Sequence, residues 1–102
     1  MKALLSKTIG APESLVVGHV SDPVPGDDEI LITVKACGVN FPDTLIIEDK
    51  YQFKPNRPFA PGGEVSGVVK AIGDAVTNVK VGDRVLGNTG WGGMAQELAL
   101  EA

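Results

Sequence analysis

The segment Glu29–Val39, EILITVKACGV, constrains the fold of this chain more than any other stretch. Ile30, Ile32, Val34 and Ala36 share one parity and Leu31, Thr33, Lys35 and Cys37 the other, which is the two-residue period of a strand. Shorter stretches repeat the pattern: KALLSK near the start, SLVVGHV from Ser14, GEVSGVVKAIG from Gly63, DRVLG from Asp83 and GMAQELAL from Gly93. Six candidate strands, punctuated by turn residues drawn from 13 Gly and 7 Pro, predict a mainly β chain with short, sharply turned strands. Such spacing suits a closed or partly closed barrel better than a helical bundle.

One segment departs from this rhythm. Asn40 is placed to cap a short helix whose first turn holds Pro42 and Asp43 and whose body is Thr44–Glu48. Proline is tolerated there because the first helical N–H groups have no partner within the helix, and a carboxylate suits the positive helix end. Beyond it, Pro55, Pro58 and Pro61 rule out a regular helix or a central strand between Tyr51 and Gly63, so this stretch reads as an ordered loop crossing the domain.

A chain of 102 residues is sufficient for one domain, which at this size buries somewhat over ~60% of the surface that its unfolded form exposes. A second domain does not fit within residues 1–102. No apolar run approaches the roughly 20 residues that span a bilayer, and the first residues lack the apolar core of a secretory signal, so the expected location is cytoplasmic. With a net charge of −4 and both signs interspersed, the chain has no basic stripe for phosphate backbones. Nucleic acid and anionic membrane are therefore poor partners. Cys37 is the only cysteine and His19 the only histidine, too few for the four ligands of a structural zinc or the three of a catalytic one. No metal is expected. Cys37 reads as a small buried apolar residue, with a reactive thiol as the alternative, and His19 as a solvated or core-edge residue at a strand end.

Three motifs occur in fixed order: ACGVNFPDT from Ala36, PFAPGGEVSGVV from Pro58 and VGDRV from Val81, with KYQFKPNRPF bridging the first two. Together they resemble the amino-terminal domain of the medium-chain dehydrogenases/reductases, and the resemblance covers nearly the whole chain. Asn40 and Gly63 stand where the zinc-dependent alcohol dehydrogenases of that superfamily carry cysteine and histidine ligands. The likeness is therefore to the zinc-independent, quinone oxidoreductase-like branch. It implies a GroES-like, partly closed β-barrel with one or two short helices over residues 1–102. It also implies a role as the substrate-side domain of an enzyme that passes hydride from NADPH or NADH to a quinone or enone. The cofactor would be carried mainly by a Rossmann domain of the same full-length chain, since no GxGxxG motif in a strand-to-helix context occurs here. Residues 1–102 alone are then expected to bind no cofactor tightly, to turn nothing over, and to expose an apolar edge that permits self-association.

The matching positions supply the candidate site. Asn40 and Tyr51 are the catalytic and cofactor-binding candidates, each able to donate a hydrogen bond to a substrate carbonyl or to the cofactor carboxamide. Asn40 serves equally as a helix cap, and Tyr51 equally as a loop aromatic packed on the barrel. Leu45, where many quinone oxidoreductases place a tyrosine, and Trp91, between two glycines, are candidates for the substrate cleft; Trp91 reads equally as a lid over the core. Asp43, Glu64 and Arg84 are given structural roles: a helix amino terminus, a hydrogen bond or an ion pair with an arginine, and the tether of a turn. A different class of function, a free-standing GroES-like binding or assembly module without catalysis, is the alternative.

Overall fold

The apolar stretches become six strands in the computed structural model, which describes residues 1–102: β1 (Lys2–Leu5), β2 (Val16–His19), β3 (Glu29–Gly38), β4 (Glu64–Ile72), β5 (Arg84–Asn88) and β6 (Glu97–Glu101). Helix α1 (Phe41–Ile47) lies between β3 and β4, and a single 3-10 turn at Pro12–Ser14 precedes β2. All strand pairs are antiparallel, β1 with β2 in one sheet and β5-β4-β3-β6 in the other. Two isolated bridges, Ala3 to Ala95 and Ser6 to Phe59, link β1 to the rest of the chain. The barrel is accordingly open.

The long strand differs from its sequence pattern in one respect. Its pairing with β4 skips Lys70 on one side and Lys35 on the other, two bulges in a single ladder. An extra residue reverses the parity of everything beyond it. Ile30, Ile32 and Val34 therefore pack with Val65, Val69, Leu98 and Leu100, as the alternation requires, but after Lys35 it is Cys37 that reaches this core. Ala36, predicted to share the face of Ile32, is exposed.

Two smaller apolar clusters complete the interior. Ala3, Leu5 and Ala60 form one, and Ile46, Ile47 and Phe59 form the other, against which Leu15, Tyr51 and Phe53 pack. Helix α1 is thus held by its last turn, while Phe41 at its start is 73% exposed.

Arg57 fixes the proline-rich loop. Its Nε donates to Ser6 Oγ at 3.1 Å, Nη1 to Asp49 Oδ1 at 2.7 Å and Nη2 to the Ile47 carbonyl at 2.8 Å. The guanidinium also sits over the Phe59 ring, 5.3 Å from its centroid. One planar cation therefore joins the end of β1, the carboxyl end of α1 and the loop, a task for which the fork of arginine is suited. Sequence inspection missed this, because Ser6 lies 51 residues away and the nearer partners are brought together by an irregular loop without periodicity.

Apolar surface remains uncovered. Val17 on β2 is 71% exposed and Leu86 on β5 is 88% exposed. A groove of about 450 Å³ between the two sheets is lined by Ala3, Leu5, Phe59, Trp91 and Leu98 among others. No helix is long and apolar enough to cross a membrane.

Candidate functional site

The cleft is built where β3 gives way to α1. Gly38 closes β3, and a Cβ there would meet Glu64 Oε1 at 2.5 Å, so a side chain at this position would require the Glu64 carboxylate to turn aside. The Asn40 amide nitrogen lies on the same side, 3.5 Å from that point. Asn40 and Asp43 then form a capping box at the helix entry. Its well-formed half is the Asp43 carboxylate, whose Oδ2 accepts the Asn40 backbone N–H at 2.9 Å; the Asn40 side chain itself makes no close cap hydrogen bond. Asp43 is buried, and its carboxylate is satisfied by this bond.

The opposite wall is aromatic. Tyr51 meets Phe53 edge-on, with ring centroids 5.0 Å apart and planes at 87°, and Phe53 meets Trp91 at 5.4 Å and 41°. The loop after β5 supports them, with Thr89 N–H bonded to the Gly63 carbonyl at 2.7 Å, Gly92 N–H to the Ala60 carbonyl at 2.7 Å and Thr89 Oγ1 to the Trp91 carbonyl at 3.0 Å. Between the walls lies a cleft of about 260 Å³ lined by Asn40, Asp43, Tyr51, Phe53, Glu64 and Thr89, among others.

Four candidates named from sequence, Asn40, Tyr51, Asp43 and Glu64, thus meet in one place. The others do not. Leu45 is half-buried on α1 and is not among the cleft-lining residues. Trp91 faces the neighbouring groove and reaches the cleft only through Phe53. Glu64 forms no ion pair, because Arg57 is engaged by Asp49 and Arg84 lies elsewhere on the sheet. Arg84 ties no turn: the carboxylate of its neighbour Asp83 does so, accepting the Lys80 N–H at 3.0 Å. Phe53, Thr89 and Gly90 went unrecognised as lining residues. Each lies in a loop without periodicity, and only backbone bonds across the domain bring them in.

Cys37 sits directly behind the cleft. A Cβ at Gly62 would be 2.5 Å from its sulfur and one at Gly93 2.8 Å, so Sγ fills a slot between two glycines. Burial, followed by the negative charges of Asp43 and Glu64, raises the thiol above its ordinary pKa, partly countered by a backbone hydrogen bond from Glu64. A raised pKa means less thiolate at neutral pH. Cys37 is therefore expected to alkylate with iodoacetamide more slowly than free cysteine at pH 7 to 8, as followed by mass spectrometry. A faster reaction would show that the slot opens. Cys37 and His19 lie in β3 and β2, and no group of three or more His, Cys, Asp or Glu side chains forms a metal-ligand set.

Of the residues lining the cleft, Asn40 through Nδ2, Tyr51 through its hydroxyl and Glu64 through its carboxylate keep polar atoms without a hydrogen-bond partner within the chain. Two neutral donors beside an aromatic wall suit a flat molecule carrying a carbonyl or carboxamide. The chain matches the family described as alcohol dehydrogenase GroES-like domain over residues 26–102, and it belongs to that family, as an amino-terminal domain of the quinone oxidoreductase type. The human protein named quinone oxidoreductase is 40% identical over 103 residues, spanning 100% of this chain and 31% of that protein. Among solved structures, human synaptic vesicle membrane protein VAT-1 homolog-like protein superposes with a TM-score of 0.94 at 34% identity, covering 99% of this chain and 33% of the other. Quinone oxidoreductase of Escherichia coli, solved in complex with NADPH, superposes with a TM-score of 0.91 at 29% identity, covering 99% and 31%. The chain spans about a third of the length of these relatives.

Proposed function

We propose that this domain supplies the substrate side of a zinc-independent NAD(P)H-dependent reductase of quinones or enones. The observation that carries this reading is that Asn40 and Tyr51, each with a hydrogen-bond donor on its side chain, line one cleft with an aromatic wall. The NADPH complex of the Escherichia coli relative supports the choice of cofactor. Nucleotide binding is assigned to a Rossmann domain in the same longer polypeptide, with the cleft described here closing over the nicotinamide end.

The nicotinamide supplies the hydride when bound. Asn40 and Tyr51 are the residues that would hold its carboxamide or the substrate carbonyl, and their donors would stabilise negative charge developing on the carbonyl oxygen. Phe53 and Tyr51 exclude water from one side. Asp43 keeps Asn40 in place through the cap rather than touching substrate. Gly63 offers no ligand at the position of the zinc histidine, and the reading requires no metal.

The test uses the full polypeptide carrying this domain, with NADPH oxidation in the presence of a quinone followed by absorbance. Asn40→Ala is expected to lower kcat/KM by about 10²-fold, the usual effect of removing one donor to a developing oxyanion. Tyr51→Phe should give a smaller loss of the same kind. Added zinc should leave the melting temperature unchanged. Full activity in both variants would overturn the site assignment, and a saturable, stoichiometric zinc shift would overturn the zinc-independent reading. Turnover by residues 1–102 alone would remove the need for a second domain.

A second reading, a free-standing binding or assembly module, draws on the uncovered edge strands at Val17 and Leu86. The mass of the native polypeptide in source-cell extracts separates the two. A band several times heavier than 10.6 kDa favours the reductase, and one at that mass favours the module.

A further inference from the structure

Phe53 occupies a position that no motif singled out. Its ring lines the cleft, receives Tyr51 edge-on at 5.0 Å and rests against Trp91 at 5.4 Å. The backbone of Gly90 closes in from a third direction, where a Cβ would stand 3.2 Å from Phe53 Cζ. A ring held on three sides has little freedom to turn, so it presents a fixed surface to whatever enters. Apart from Tyr51 and the half-buried Pro42 ring, the other groups around it are mainly polar or backbone: Asn40, Asp43, Glu64, Asn88 and Thr89. Ile46, also at the cleft, is only 2% exposed. The accessible apolar lining is therefore largely aromatic.

We propose that Phe53 is a specificity-determining residue of this cleft, giving it a flat wall that favours ring-conjugated carbonyl compounds over saturated or open-chain ones. The cleft is small, about 260 Å³, so a carbonyl hydrogen-bonded by Asn40 or Tyr51 leaves the remainder of a small ligand against this wall. A planar ring gains offset or edge contacts with Phe53 that a puckered ring of similar size does not. Trp91 acts on the cleft only as a support behind Phe53. This inference rests on the reductase reading for the identity of the site, but selection by Phe53 is measurable without any turnover.

The experiment compares acetophenone with cyclohexyl methyl ketone, which share the acetyl group and differ in having a flat or a puckered ring. Binding of each to the polypeptide carrying this domain is titrated by NMR, with the Asn40 side-chain amide as the reporter. Acetophenone is expected to bind about five-fold more tightly or better. In Phe53→Leu the ratio should fall to near one, and in Phe53→Tyr it should be retained, a rescue that a merely structural role would not produce. Equal binding of the two ketones by the unaltered protein, absence of binding at the cleft, or an unchanged ratio in Phe53→Leu would overturn the proposal. The unaltered protein decides the first two outcomes even where a variant fails to fold. Neither ketone needs to be reduced. A protein that oxidises no NADPH yet shows the ring preference would defeat the reductase reading and leave this one standing.

Discussion

Replacing Arg57 with alanine is expected to lower the unfolding free energy by about 3 kcal/mol and the melting temperature of the chain by roughly 10 to 20 °C. The guanidinium makes three hydrogen bonds, to Ser6, Asp49 and the Ile47 carbonyl, and its side chain is only 16% exposed. Removing it leaves the Asp49 carboxylate without its cation and takes one donor each from Ser6 Oγ and the Ile47 carbonyl, which keep only long bonds, to the Thr8 carbonyl at 3.4 Å and from the Gly10 N–H at 3.2 Å. Ser6 itself is fully buried. Losing one partner of such a group costs more than the net value of the bond, because the remaining partner stays desolvated. Partial exposure of the pair, at 16% and 24%, places the effect below that of a fully buried ion pair. Arg57→Lys should recover only the contact with Asp49 and remain well short of the original stability. Urea unfolding measures both variants, and a loss under about 1 kcal/mol for the alanine change would mean that the loop is held by its prolines and Phe59 instead.

A second large effect is expected at Ile32. Its side chain is fully buried at the centre of β3, among Val65, Val69 and Leu98, and Ile32→Ala should cost about 3 to 4 kcal/mol through lost transfer energy and an unfilled cavity. The informative comparison is Ala36→Lys. By simple alternation Ala36 shares the face of Ile32, and a lysine there would force a charge into the core. The bulge at Lys35 turns Ala36 outward instead, so the change should fall within about 0.5 kcal/mol of the original protein. A severe loss from Ala36→Lys would show that the two residues face the same way and that the bulge is absent in solution.

That contrast shows where the chain can be read directly. Every strand was legible, because apolar alternation between Gly and Pro turns survives whatever the strands pair with. The helix entry was equally legible: Asn40, Pro42 and Asp43 act within a single turn, and the Asp43 carboxylate meets the Asn40 N–H without help from elsewhere. The end of β3 was not legible past Lys35, since a bulge depends on how two ladders fit and leaves no mark in composition.

The site divides in the same way. Motif order brought Asn40, Tyr51, Asp43 and Glu64 to attention, and all four line the cleft. Leu45, placed there by analogy of position, and Trp91, placed there as an aromatic between two glycines with a lid over the core as its equal alternative, do not line it, because helix phase and a loop supported by Gly63 and Ala60 send them elsewhere. The ion pair, one of the two roles expected for Glu64, is missing for a related reason. Arg57 is already committed to Asp49.

By itself the amino-acid sequence determined the β character, the single short helix and the shortage of metal ligands, all properties carried by local spacing or residue count. Only the tertiary structure decided that the barrel is open, that Cys37 rather than Ala36 reaches the core, that Arg57 joins three segments and that Phe53 walls the cleft. Those outcomes depend on contacts between residues far apart in the chain, and such contacts are selected by how whole elements pack, which no local pattern encodes.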